Sequence, residues 1–131
     1  MAPEQHPHER LLQEVQKELA QILEGSSQGI YVYLDDPHWI CNQRMATLLG
    51  YASPAEVVAL TAQTPLLDAL VAPASHNTVV DAYMKTINDK LASVVRVTWK
   101  KKDGATFQSQ TVFVPFSFKG TAMTLHFIAP S

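Results

Sequence analysis

Val94-Val95-Arg96-Val97-Thr98-Trp99 opens a stretch that reaches Ile128 and decides the fold of the chain. A second run starts at Ala105 and passes through Thr111-Val112-Phe113-Val114 to Phe118. A third is Met123-Thr124-Leu125-His126-Phe127-Ile128. All three are rich in the β-branched and aromatic residues that suit a pleated sheet. Asp103-Gly104 separates the first two, and Asp-Gly fits a tight type I′ turn, in which both central residues take positive φ. Lys119-Gly120 separates the second and third. The pattern predicts a three-strand antiparallel meander.

Side chains alternate across a strand. Val95, Val97 and Trp99 therefore share one side, and Val94, Arg96 and Thr98 the other. In the last strand Met123, Leu125 and Phe127 oppose Thr124, His126 and Ile128. The middle strand is apolar on both sides around Val112 to Phe116, so both faces of the sheet need cover.

The preceding chain supplies that cover. Residues 1–7 hold Pro3 and Pro7 and are expected to fray. From His8 to Glu24 a helix is expected, with Leu12, Val15, Leu19 and Ile22 in one stripe, widened by Leu11 and Leu23 and stopped by Gly25. The stripe suits two uses that can coexist: packing on the free face of its own sheet, or pairing with its copy in a homodimer. Gly29 to Leu34 reads as a strand, Asp35-Asp36-Pro37 as a turn and His38 to Cys41 as a second strand. Asn42 caps a helix over Gln43 to Leu49, closed by Gly50. Ser53-Pro54-Ala55-Glu56 opens another with a capping box. Pro65 to Ala72 reads as an apolar connection, and Pro73-Ala74-Ser75 leads into a longer helix over His76 to Asp89. Five strands and a clustered helical layer make an α+β domain, with a concave apolar space between the layers.

The 131 residues allow one domain with a real core. The composition, 47% hydrophobic and 17% charged, is that of a globular protein. A net charge of −2 gives nucleic-acid binding no electrostatic support. Lys100-Lys101-Lys102 reads as a solvated hairpin tip. The single cysteine, Cys41, fits a reducing compartment, and no apolar run approaches the roughly 18 residues of a membrane span. Met1 to His8 lacks a signal-peptide core. A soluble, cytoplasmic protein is expected.

The chain resembles a PAS domain. The likeness lies in Gly29-Ile30-Tyr31-Val32-Tyr33-Leu34-Asp35, Asn42, Leu48-Leu49-Gly50-Tyr51 and Ser53-Pro54-Ala55-Glu56, then Val71-Ala72-Pro73 and Lys102-Asp103-Gly104. It spans about residues 27–128. It implies a five-stranded antiparallel PAS-type sheet with short helices on one face, preceded by an amphipathic helix often used for dimerisation. We therefore divide the chain into residues 1–26, an N-terminal amphipathic helix, and 27–131, the PAS domain. Two departures stand out. Arg44 occupies a position where the family usually has a small residue, and the acidic-Ile-Thr ending that couples the domain to an output module is missing. If Ser131 is the true end, the chain acts through a partner in trans; otherwise it is part of a larger sensor.

The resemblance also allows cofactor chemistries to be tested residue by residue. In haem-binding relatives the axial histidine lies three residues before a tyrosine on the long helix; counting back from Tyr83 gives Val80, which cannot ligate iron. His76 reads as a solvated first-turn residue and His126 as a sheet-surface residue. Covalent flavin chemistry requires a cysteine motif that this chain lacks, Cys41 being on the second strand. Haem and covalent flavin are thus disfavoured, and the cofactor is left unknown. His6 and His8, two apart in the tail, lack zinc spacing, and Asp35-Asp36 reads as turn chemistry, so no metal set is expected. No paired nucleophile and base suggests an enzyme. What remains is an apolar ligand pocket formed by Met45, Leu48, Leu49, Val80, Tyr83 and Met84 against Val95, Val97, Trp99, Leu125 and Phe127, with Arg44 either clamping a carboxylate at its mouth or exposed on the helix. The expected function is a sensory module that binds a small organic ligand and signals by conformational change or dimerisation. The alternatives are a ligand-free protein-interaction module and, less favoured, a haem or flavin redox sensor.

Overall fold

A computed structural model describes residues 7–35 and 38–130. The turn expected at Asp35-Asp36-Pro37 and the frayed tail therefore fall largely outside the described residues. The elements are α1 (Pro7–Glu18), α2 (Ala20–Gly25), β1 (Gly29–Asp35), β2 (His38–Cys41), α3 (Gln43–Leu49), α4 (Pro54–Leu60) and α5 (Leu66–Leu70). A 3-10 turn (Pro73–Ser75) leads into α6 (His76–Asp89), and β3 (Ser93–Lys100), β4 (Thr106–Phe118) and β5 (Thr121–Pro130) follow. The strands form one antiparallel sheet in the order β2-β1-β5-β4-β3. The last strand of the sequence thus lies at the centre of the sheet, between β1 and β4.

Local chemistry sets most boundaries. Asn42 caps α3: its Oδ1 accepts the Met45 N–H at 2.9 Å. The same oxygen accepts the Ile30 N–H at 3.0 Å, while Nδ2 donates to the carbonyls of Leu23 and Gln28 at 3.0 and 3.1 Å. One buried side chain thereby joins α2, β1 and α3. Ser53 Oγ accepts the Glu56 N–H at 3.2 Å, as a capping residue should. The Glu56 carboxylate pairs with Lys102 Nζ at 2.9 Å, so Lys102 is tied down and not merely solvated.

The two hairpin turns exchange roles. Lys119 and Gly120 both have positive φ, 50° and 80°, the signature expected of a type I′ turn. At Asp103-Gly104 only the glycine does, with φ 90°. That connection is a wider loop, in which Lys101 N–H donates to the Ala105 carbonyl at 2.8 Å and Asp103 Oδ1 accepts the Ala105 N–H at 2.9 Å. A side-chain acceptor at Asp103 stabilises the wider turn without a second strained residue.

Three other expectations change. Pro65 to Ala72 is not a plain connection but contains α5. The helix expected over His8 to Glu24 is two, bending at Leu19 (φ −99°, ψ 9°). The bend carries Leu23 into the core, where Asn42 holds its carbonyl, and leaves Ile22 51% exposed. The third change concerns the faces of β5. Cross-strand partners share a face, and Tyr31 pairs with His126, which pairs with Phe113; Gly29 pairs with Ile128, which pairs with Thr111, opposite Val95. Val95, Val97 and Trp99 therefore lie with Thr124, His126 and Ile128. Leu125 and Phe127, expected beside Val95, are on the other side.

Two separate cores result. On the inner face α3 to α6 enclose Tyr31, Trp39, Met45, Leu49, Val97, Trp99 and Phe113. On the outer face α1 covers Val32 and Met123 with Leu12 and Val15, flanked by Leu19, Leu34, Phe116 and Leu125. Of the stripe expected to pack on the sheet or offer a dimer contact, Leu12 and Val15 are buried against their own sheet, Leu19 is half-buried and Ile22 is exposed, an arrangement that uses the first two for packing. A sheet apolar on both sides must take whatever cover is nearest in its own chain.

Candidate functional site

The pocket lies where α6 and the start of α5 diverge from the sheet. Its lining is Tyr31 and Tyr33 of β1, Phe113 of β4, His126 of β5, Pro65, Leu66 and Leu67, and Val79, Val80 and Tyr83 of α6. The cavity measures about 180 Å³. Of the residues expected to contact a ligand, Val80 and Tyr83 line it. Met45 and Leu49 are fully buried in packed core, with Leu48 against them. The cause is visible at Gly29: a Cβ there would meet Leu48 Cδ1 at 3.1 Å and Met45 Sδ at 3.2 Å. With α3 seated so closely on β1, no space for a ligand remains between them.

Val97 and Trp99 are also solid core, with Val95 packed beside them. Trp99 Nε1–H donates to Ser109 Oγ at 2.8 Å, and Trp39 Nε1–H to Thr61 Oγ1 at 2.8 Å, so both indoles are satisfied structural groups. The edge of β3 is covered by the chain leaving α5, with Ala72 N–H donating to the Thr98 carbonyl at 2.9 Å. Met84 is 47% exposed and outside the pocket. Arg44 is exposed and borders a different groove, with Leu23, Asn42 and Pro54, so it clamps nothing in the pocket. Leu125 and Phe127 are excluded by their face.

The pocket is organised around His126, which is 2% exposed and not on the sheet surface as expected. Its ring stacks on Tyr31 at 4.0 Å between centroids and 8° between planes. Phe113 meets it edge-on at 4.3 Å. Tyr31 in turn meets Trp39 and Trp99 edge-on at 5.8 and 6.0 Å, which anchors the stack in the core. Tyr33 and Tyr83 meet at right angles, 5.5 Å apart, bridging β1 and α6.

Burial pushes the His126 imidazole down to about 3, so it is neutral. Its Nε2 lies 2.6 Å from Thr124 Oγ1, and Thr124 Oγ1 donates to the Tyr33 carbonyl at 3.5 Å. We assign the Nε2–H tautomer from this chain of donors, because the threonine has one proton and the carbonyl can only accept it. His126 Nδ1 is then a bare acceptor. It is buried and has no partner among the described residues. The signal for this site was present in the sequence as the polar pair Thr124 and His126 within an apolar strand, but it points inward only once the outer face is known to belong to α1.

The other titratable groups in the core are chemically quiet. Burial holds the Tyr31 phenol protonated and pushes the Cys41 thiol up to about 12, far from thiolate reactivity. His76, expected to be solvated, is half-buried and donates through Nε2–H to the carbonyls of Val71 and Leu67 at 2.8 and 3.0 Å, fastening the start of α6 to α5.

No protein-family model and no curated protein matches the sequence. Solved structures do. The PAS domain of an HTR-like protein from Haloarcula marismortui is 19% identical with a TM-score of 0.66, over 94% of this chain and 97% of that one. The PAS domain, in complex with ethanol, of a LuxR-family transcriptional regulator from Burkholderia thailandensis is 10% identical with a TM-score of 0.64, over 85% and 95%. VqmA bound to DPO is 12% identical with a TM-score of 0.64, over 88% of this chain and 57% of VqmA. At these identities the likeness is one of three-dimensional architecture, and on that evidence the chain has the PAS fold.

Proposed function

We propose that the chain is a sensory domain that takes a small, uncharged, ring-sized organic molecule into the pocket beside His126. One observation carries this reading: an almost wholly apolar, partly open cavity is lined by His126, whose buried Nδ1 has no hydrogen-bond partner among the described residues. Leaving such a group unpaired costs about 1–3 kcal/mol. A ligand with one hydroxyl or N–H would satisfy it, while its apolar body fills the rest. The volume of about 180 Å³ suits this size, since an engineered apolar cavity of about 150 Å³ takes up benzene. The cavity as it stands is too small to enclose haem or flavin. The ethanol and DPO complexes of the two regulators support a small ligand in this fold.

The sheet gives occupancy a route outward. Tyr31 faces the pocket, and the next residue, Val32, faces Leu12 and Val15. A ligand that favours one position of β1 and β5 would bias how α1 sits, provided it binds the two arrangements with different affinity. Residues 1–26 serve in this reading as the transmitting helix of the domain at 27–131, acting on a partner protein or a second copy. With Leu12 and Val15 buried, a homodimer would form over the exposed side of α2 at Ile22.

The test is a thermal-shift and calorimetric screen of ring-sized alcohols, phenols and N–H heterocycles, preceded by an absorption spectrum of the purified protein. Binding by such compounds, weakened at least about tenfold in His126→Phe, is expected, since a hydrogen bond is worth about 1 kcal/mol or more. A Soret or flavin band, or affinity unchanged in His126→Phe, would overturn the reading.

A further inference from the structure

Away from the pocket, three elements bring two imidazoles and a carboxylate to one point. His8 comes from the first turn of α1, Asp35 ends β1 and His38 begins β2. His8 Nδ1 lies 2.7 Å from Asp35 Oδ2, and His38 Nδ1 lies 2.5 Å from Asp35 Oδ1. One donor atom from each residue falls within 4.8 Å of the other two. The rings of His8 and His38 stand edge to face, 5.7 Å apart. All three side chains are partly exposed, so an ion can reach them.

We propose that His8, Asp35 and His38 form a binding site for a divalent transition-metal ion of the zinc class, which clamps the N-terminal helix to the β1–β2 hairpin. Two imidazoles and a carboxylate are a borderline donor set that suits zinc and its neighbours better than calcium or magnesium. Three protein ligands leave one tetrahedral position for water. A tetrahedral ion with donors at about 2.1 Å sets those donors roughly 3.4 Å apart. The N–O pairs therefore open by under about one ångström from their hydrogen-bonded separations, a movement within reach of partly exposed side chains. Asp35 and His38 are cross-strand partners, so the hairpin fixes two ligands before the ion arrives. Only His8 comes from another part of the sheet's cover, and that makes the ion a link between α1 and the hairpin. The spacing of histidines and acids along the sequence gave no metal set, because the residues lie 27 and 3 positions apart and meet only after α1 has docked.

The experiment uses the full chain, freed of any affinity tag and stripped with chelator, titrated with zinc by calorimetry and by competition with a chromophoric chelator. One equivalent should bind with micromolar affinity or better. Asp35→Asn and His38→Gln, each checked for folding by circular dichroism, should weaken it by at least about tenfold. Zinc should also slow tryptic cleavage at Arg10 and Lys17 in the wild type and not in His8→Ala. Saturation only at millimolar zinc, or unchanged affinity in Asp35→Asn and His38→Gln, would overturn the site. Tight binding without protection of α1 would overturn the clamp. None of these readouts depends on the pocket's ligand.

Discussion

The two faces of the sheet are built from different chemistry. The outer face, under α1, is aliphatic at its centre, with Leu12, Val15, Val32 and Met123 buried and no polar side chain among them. The inner face carries aromatics and hydroxyls: Tyr31, Phe113, Trp39 and Trp99, with Thr111, Ser109, Thr124 and His126 buried beside them. An aliphatic face needs only close packing, and one amphipathic helix provides it. A face with buried polar atoms must satisfy each one, and where it fails, as at His126 Nδ1, the fold carries a cost. The difference separates a face packed solid under one helix from one that packs a larger core and still leaves a cavity.

The comparison can be broken most sharply from the outer face. Val15→Asp places a charge at a fully buried position and should destabilise the domain by about 4 kcal/mol or more, measured by urea denaturation. A loss below about 1 kcal/mol would mean that α1 is not part of the folded unit. Asn42 joins both sides, and Asn42→Ala strands the Ile30 and Met45 N–H groups and the carbonyls of Leu23 and Gln28. We expect a loss of about 3 kcal/mol; a loss under about 1 kcal/mol would show that water replaces the side chain.

The inner face should show itself through pH. His126 stays neutral down to about 3 in the folded chain, whereas an unfolded histidine titrates near 6.5, at roughly 1.4 kcal/mol per pKa unit. Between those values the unfolded chain holds a proton that the native state lacks, so stability falls as the pH drops through this window. From neutrality to about pH 4.5 the loss from this group should be about 2–3 kcal/mol, and His126→Phe should remove it. An unchanged pH slope in that variant would place the titration elsewhere. The buried cluster of the outer face holds no titratable group, so any pH dependence left in His126→Phe would point to the exposed His8–Asp35–His38 cluster at the rim of α1. The smallest effect is expected from Lys102→Ala, which breaks an exposed pair with Glu56 and should cost under about 1 kcal/mol. A larger loss would show that the contact of Lys102 with Tyr51 also matters. Separately, Ile22→Glu should halve the mass measured by sedimentation if α2 carries a dimer contact, and an unchanged mass would remove it.

Much of the fold was legible because its signals are local. Asn42 and Ser53 announced helix starts through side chains that reach N–H groups three residues on. Lys119-Gly120 marked a turn, and alternation of β-branched residues marked each strand. The candidate site was far less legible. Of the residues expected to contact a ligand, only Val80 and Tyr83 line the cavity, since α6 and its apolar side could be read from helical spacing.

What the sequence by itself determined is therefore the five strands, most of the helices, their order and the need to cover both faces of a sheet, while α5 and the break between α1 and α2 escaped it. The tertiary structure alone decided which face each side of β5 would serve. Met123-Leu125-Phe127 looks like the natural interior of a strand, and Thr124 and His126 like its exterior, until α1 takes the aliphatic side. It also decided that Leu19 bends the N-terminal helix, that α3 leaves no room beside Gly29, and that His8 meets Asp35 and His38. Hydrogen-bond caps and turn preferences reach three or four residues along the chain. The side of a strand that faces a cavity is set by which layer docks on it, and that is fixed only when residues nearly a chain length apart come into contact.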